Sequence, residues 1–503
     1  MAKAWTGSRI DMHLDLTAAG PAKRRAALEA ALREAIRDGS LRPGVPLPSS
    51  RGLAEQLGLS RGTVTSAYGQ LVDEGFLTSR PGSGTAVADV RDPKPPAASP
   101  HRFAAVRPEH DLRPGSPDLA AFPLRGWTAA TRRVLAAARP ELFGVGDPQG
   151  RFELRAALAD YLGRTRGVQT SADRVVITSG YHHSVQLVAR VLRSQGAKTV
   201  AWEDPGHAVF RGLVAGAGLS LRVRPLPVDE GGAVVEALTD ESAVFLTPAH
   251  QYPTGVPLDP ARRRAVVEWA RARGALVIED DYDGEFRYDR RPVGAMQPVA
   301  TCEVVYCGSV SKTLGPGLCL GWLALPSRLV EAFVRAKLET EPFGESVGQA
   351  VLADFVSSHA YDRHVRAARL RYGRRRERLL AVLEEFPGLT AHGVPAGLHV
   401  LVTLPAGGPG ESEIRAAGEA RGVAVRGLAE LYQDPDEARQ GLLIGYAGPA
   451  ERAYPAALEA LAGTLRAVGL QTAPNRPWSE SSSRTTTRPP ARSRTARGSC
   501  RSR

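Results

Sequence analysis

Within the segment GSVSKTLGPGLCLGW, Gly308 to Trp322, a single lysine, Lys312, is flanked by the hydroxyls of Ser309 and Ser311 and followed by glycines and a proline. A lysine amine can condense with a carbonyl compound, provided other groups hold that compound in place. Three more segments end in groups that complement it. ITSGYHHS ends a strand at Ser179-Gly180 and opens a helix with Tyr181 and His182, whose free amides suit a phosphate. TPAHQYPTG carries His250 and Gln251 ahead of a Pro-Thr-Gly turn, and VIEDDYDGEFRY carries Asp280 and Tyr282. A carboxylate, a phenol, a lysine and a phosphate cradle are what pyridoxal 5′-phosphate (PLP) requires. The lysine forms the Schiff base, the carboxylate keeps the ring nitrogen protonated, and the phenol hydrogen-bonds the ring oxygen. Taken singly these segments are commonplace, since Ser-x-Ser-Lys occurs in exposed loops and Asp-Asp-Tyr at polar strand ends. Their conjunction carries the inference.

Positioning such groups needs a sheet. Short apolar runs such as RVVITSG, AVFLTP, GALVIED and EVVYCGS alternate with amphipathic stretches from about Asp111 to Leu470. That alternation predicts an α/β domain over 112–470 with a mainly parallel sheet, whose sites lie at the C-terminal strand ends.

The first ninety residues read differently. AKRRAALEAALREAIRDGSL has helical apolar spacing with Gly39 as its stop. LPSSRGLAEQLG predicts a short helix capped by Ser49 or Ser50, and LSRGTVTSAYGQLVDEGFL a second helix capped by Ser60 and ended at Gly75. FLTSRPGSGTAVA predicts two strands around a Pro-Gly-Ser-Gly turn. Helix, short helix, turn, helix and hairpin describe a winged helix-turn-helix over 12–89. A proline-rich linker over 90–111 and a basic tail over 471–503, expected to be disordered, complete the division.

The 503 residues carry a formal charge of +12, but eight arginines against one acid between Arg476 and Arg503 supply +7 of it. Bulk charge therefore makes no case for DNA binding, and the motif must. The four cysteines show neither metal spacing nor a disulfide framework, so no metal site is expected. The sequence also lacks an apolar run of membrane-spanning length and, at its start, a signal-peptide core, so a cytoplasmic protein without membrane attachment is expected.

PGVPLPSSRGLAEQLGLSRGTVTSAYGQLVDEGFLTSRPGSGTAV resembles the DNA-binding module of the GntR regulators. The resemblance implies that the helix from Ser60 enters the major groove of a double-stranded operator. Arg51, Ser60, Arg61, Thr63 and Thr65 would face the DNA, with Arg80 and Gly82 on the wing. YHHSVQLVARVL, HQYPTGVPLDPARRRAVVEWA, IEDDYDGEFRY and SKTLGPGLCLGW extend the likeness to the MocR subfamily, which joins a winged helix to a domain similar to fold-type I aminotransferases. The implied fold is thus multidomain: a winged helix-turn-helix with a β-wing plus an α/β, PLP-dependent, aminotransferase-like domain. Carried over by residue, Lys312 would be the Schiff-base lysine, Asp280 the partner of the pyridine nitrogen and Tyr282 that of the ring hydroxyl. Ser309, Ser311 and the amides of Gly180, Tyr181 and His182 would hold the phosphate, and Gln251 would join the cofactor site. A head-to-tail homodimer follows from the same resemblance, with PLP or a small amino compound as effector.

Two departures bear on activity. Cys319 stands where the subfamily usually has a phosphate-gripping arginine, which predicts weakened binding and a small, inert packing residue. Leu443 stands where aminotransferases commonly hold the substrate carboxylate, so transaminase activity is expected to be weak or absent, with His207 or Arg211 as substitute anchors. The competing readings are a working aminotransferase with a fused winged helix and a regulator that has lost PLP.

Overall fold

The computed structural model describes residues 3–7, 10–14, 24–80, 84–89, 108–216, 221–289, 293–341, 344–434 and 438–471. Of the expected 90–111 linker, residues 90–107 lie outside the described residues, as does the expected tail from 472 on, whereas His110–Asp111 is a strand of the second unit and not linker. The chain divides into two units, Met1–Val106 and Arg107–Arg503.

In the first unit, helices Arg24–Arg37, Ser50–Leu57 and Arg61–Asp73 precede an antiparallel hairpin, Leu77–Arg80 with Gly84–Val87. Local chemistry accounts for the breaks. Ser49 caps the second helix by accepting the Gly52 amide at 3.1 Å, and Gly58 ends it in the left-handed conformation at φ 63°. The third begins at Ser60, whose hydroxyl accepts the Thr63 amide at 3.0 Å. Leu28, Leu32, Leu53, Val64, Leu71, Leu77 and Val87 close a core of this unit's own. A two-stranded ribbon, Lys3–Gly7 with Ile10–Leu14, was not anticipated. Its alternation is too short to be read apart from a coil.

The second unit is built on an eight-stranded sheet in the order Val175–Thr178, Gly321–Ala324, Val304–Ser309, Leu276–Asp280, Ala243–Leu246, Thr199–Asp204, Arg222–Asp229, Gly232–Ala233. Its middle strands are parallel, and Gly321–Ala324 runs against both of its neighbours. Successive residues feed opposite faces, as the pleat requires: Val305 and Cys307 pack with the helix Tyr181–Ser194, whereas Tyr306 packs with the helices Phe152–Arg166 and Val347–Ser357. Thr178, Asp204, Leu246, Asp280 and Ser309 all close their strands at one edge.

A smaller antiparallel sheet follows, in the order Thr390–His392, His399–Thr403, Gly441–Gly445, Arg426–Gly427. The helix Ala360–Glu384, 25 residues long, ties the two sheets together. Its Tyr361 and Val365 enter the large sheet's core, and its Ala368, Tyr372 and Leu379 enter the smaller one's. The strand His110–Asp111 pairs in parallel with Val423–Ala424, which fixes the start of the unit beside the smaller sheet. No helix among the described residues is long and apolar enough to cross a membrane.

Candidate cofactor cavity and nucleic-acid interface

At the C-terminal strand edge lies a cavity of about 270 Å³, lined among others by Gly180, Tyr181, His182, Asp280, Tyr282, Ser309, Ser311 and Lys312. Segments far apart in the chain converge there because their strands are neighbours in the sheet. The amine of Lys312 donates a 2.6 Å hydrogen bond to the carbonyl of Gly115. Burial pushes this amine below its ordinary value, while Asp280 and Asp283 pull the other way. Burial thereby makes the neutral, nucleophilic form more accessible than in an exposed lysine.

Asp280 is pushed well above the usual carboxylate range by burial, opposed by a hydrogen bond from Tyr181 and by the charge of Lys312. A protonated pyridine nitrogen placed opposite it would supply the counter-charge that an ionised Asp280 needs in so buried a position. Tyr282 also sits above its ordinary value through burial, with Asp283 adding to the effect. Its hydroxyl lies 3.0 Å from His250 Nδ1, and that nitrogen lies 2.9 Å from the Asp283 carboxylate. The His250–Asp283 pair thus holds the Tyr282 hydroxyl at the cavity wall.

The cavity walls suit a flat heteroaromatic ring. His207 packs 5.2 Å from Tyr252 and 4.2 Å from Phe210, and Trp202 stacks on Phe245 at 4.3 Å. The buried Nδ1 of His207 has no hydrogen-bond partner among the described residues. Burial, with Lys312 next, pushes His207 down to about 4. His399, contributed by the smaller sheet, is likewise pushed to about 4 by burial and then by His250. The set of amine, carboxyl, phenol and ring-stacking imidazole fits PLP.

Several expectations meet a different geometry. Gln251 does not line the cavity. Its amide donates to the carbonyls of Pro205 and Tyr252 and accepts from Thr254, so it braces two loops. Arg211, offered as a substitute anchor, is spent on the Leu431 carbonyl at 2.8 Å and on Asp204 at 3.3 Å. Cys319, expected as a packing residue, is exposed in the left-handed conformation at φ 50°, because the Pro316–Leu318 turn lifts it off the sheet. Leu443 is buried against Tyr252, Leu401, Leu428 and Leu431, and Arg426, its partner on the neighbouring strand, hydrogen-bonds Tyr252. His207 does line the cavity.

Sequence reasoning also passed over lining residues. Gly115, Trp202, Glu203, Phe210 and His399 line the cavity without any motif of their own. For Gly115 a signal existed in the Pro-Gly-Ser-Pro turn. Its φ is 116°, and a Cβ there would meet the Lys312 amine at 3.6 Å.

In the first unit, Arg51, Ser60, Arg61, Thr65 and Arg80 are exposed and Thr63 is half-buried. Ser60 and Thr63 hydroxyls are 2.8 Å apart, so both also serve the helix start. Gly82 lies outside the described residues.

Comparison with known proteins matches residues 24–87 to the bacterial regulatory proteins of the gntR family and residues 111–427 to aminotransferase class I and II. The chain is 32% identical to the probable rhizopine catabolism regulatory protein MocR of Rhizobium meliloti, over 83% of this chain and 88% of that one. It is 34% identical to the HTH-type pyridoxine biosynthesis transcriptional regulator PdxR of Corynebacterium glutamicum, over 74% and 81% respectively. Among solved structures, the kynurenine aminotransferase of Pyrococcus horikoshii matches with a TM-score of 0.64 at 24% identity, covering 71% of this chain and 91% of that one. An archaeal alanine:glyoxylate aminotransferase matches at 0.65 and 23%, covering 71% and 90%. These two establish the fold.

Proposed function

The chain belongs to the MocR subfamily of GntR-family regulators, DNA-binding proteins with an aminotransferase-type domain, and from that premise we propose that its larger unit binds PLP on Lys312 as a regulatory ligand. The observation that carries this reading is the convergence of Lys312, Asp280, Tyr282 and the Gly180–His182 helix start on one cavity. PLP would supply an aldehyde for the Lys312 amine and a ring whose nitrogen carries a proton. Asp280 would hold that nitrogen's proton, Tyr282 would donate to the ring oxygen, and His207 would cover one ring face. The amides of Gly180 to His182, with Ser309 and Ser311, would face the phosphate.

Regulation is favoured over turnover by Leu443, an apolar side chain packed with Leu401, Leu428 and Leu431 where the likeness to aminotransferases would put the arginine for a substrate carboxylate. The effector is then PLP itself or a small amino compound that meets it on Lys312. Arg51, Arg61, Thr63, Thr65 and the wing would contact an operator as part of a head-to-tail homodimer, with Arg61 at the exposed start of the Arg61–Asp73 helix.

The test is a PLP titration followed by visible absorbance, on wild type and Lys312→Ala, with operator binding measured alongside. The expected result is a saturable band in wild type only and an operator affinity that follows its midpoint. A band that persists in Lys312→Ala would overturn the assignment of the lysine. Operator affinity indifferent to saturating PLP would overturn the regulatory role.

A further inference from the structure

The helix Tyr181–Ser194 presents its N-terminal turn to the cavity's phosphate end, and an anion already stands beside it. Ser179, which lines the cavity just before this helix, donates its hydroxyl to a Glu341 carboxylate oxygen at 2.9 Å. The same oxygen lies 2.7 Å from Nδ1 of His183 in the helix's first turn. Glu341 is itself the C-cap of the helix Val330–Thr340, an end that disfavours a carboxylate. Its own helix therefore does not explain its placement. The neighbouring N-terminus and the Ser179 hydroxyl do, while His183 Nδ1 accepts the Ser179 amide at 3.2 Å and lies 3.0 Å from that hydroxyl. Lys337, one turn back, adds attraction from the same side, although its amine is committed to the Ile177 carbonyl at 2.7 Å. Among the described residues, Lys312 is the one lysine or arginine lining the cavity, and Gly115 holds its amine. No guanidinium among those lining residues competes with Glu341 for the role of fixed charge.

We propose that Glu341, partly exposed at the rim, competes for the phosphate end: it holds the Ser179 hydroxyl in place of a phosphate and sets how strongly the cavity prefers a phosphorylated ring aldehyde to an unphosphorylated one. This rests on reading the cavity as a PLP site. A phosphate arriving at Ser179 must displace a carboxylate of like charge, whereas pyridoxal, carrying a hydroxymethyl group at that position, leaves Glu341 where it is. The cavity therefore discriminates less between the two aldehydes than its helix amides and serine hydroxyls alone would suggest.

The experiment titrates wild type, Glu341→Gln and Glu341→Ala with PLP and, separately, with pyridoxal, reading both absorbance and thermal shift. Glu341→Gln keeps the hydrogen-bonding shape and removes the charge. It is expected to tighten PLP about tenfold, the scale of one charge-assisted hydrogen bond freed for the phosphate, while pyridoxal affinity stays within about twofold. Glu341→Ala should follow the same pattern, which separates charge from side-chain geometry. Equal changes for both aldehydes, or an unchanged PLP affinity in folded Glu341→Gln, would overturn the proposal. No binding of either aldehyde to wild type would overturn the PLP reading, and this inference with it.

Discussion

Burial acts on the cavity's basic groups in one direction, because a charge removed from water needs a counter-charge to persist. Lys312 has Asp280 and Asp283 as partial compensation, and His207 has neighbouring cations instead. The onset of the visible band on mixing with PLP should accordingly speed up with pH and level off with a midpoint below the ordinary lysine value of 10.5. A stopped-flow profile centred on 10.5 would contradict the burial argument. His207 and His399, both held near 4, should stay neutral through the physiological range, and NMR titration of their ring protons checks this directly. Their folded values lie below the ordinary 6.5, so the unfolded chain takes up protons first as the pH falls. Each therefore costs stability between pH 6.5 and about 4 and none above that window.

Elements turn these residues into a site, and their ends matter more than their middles. Ser60→Ala removes the cap of the Arg61–Asp73 helix and should cost about 1 kcal/mol in denaturant unfolding of the first unit. Arg61→Ala should leave that stability nearly unchanged, weaken operator binding, and lower the salt dependence of that binding by about one counterion. In the larger unit, Gly397 sits at φ 74°, where a Cβ would collide with the His250 ring and come within 2.7 Å of the Asp283 carboxylate. Gly397→Ala should displace the His250–Asp283 pair that steadies Tyr282, and PLP affinity should fall by about tenfold or more. These ends also explain what the sequence made legible. Strand-end motifs announced Lys312, Asp280, Tyr282 and Gly180 because each carries a local signature: a turn, a helix start, an acidic cluster. Gly115, Trp202 and His399 carried none strong enough to read alone, since only sheet order brings them together. Gln251 and Arg211 misled for the complementary reason, as their types suit a ligand but loop packing consumes their hydrogen bonds. The capped helices of the first unit were readable almost to the residue, with Ser60 named and Ser49 one of two caps offered, because capping is a local interaction.

At the scale of the whole molecule, the two units keep separate cores: Leu28, Val64 and Leu71 serve one, while the other is assembled around its two sheets and the helix Ala360–Glu384. Thermal unfolding should therefore show two transitions rather than one. PLP should raise only the transition of the larger unit, by about 2.7 kcal/mol at a ligand concentration about one hundred times its dissociation constant. Equal shifts in both transitions on calorimetry would show the units to be energetically fused.

The stack of Trp202 on Phe245 has a consequence of another kind. Trp202 lines the cavity directly, and Trp322 lies just behind it, its indole nitrogen about where a Cβ on Gly308 would be. A chromophore absorbing at the wavelengths where indoles emit would border Trp202, lie near Trp322 and drain their excited state. The molecule thus holds a built-in optical gauge of its own loading, readable by dimming of its native fluorescence on DNA or off it, without a label.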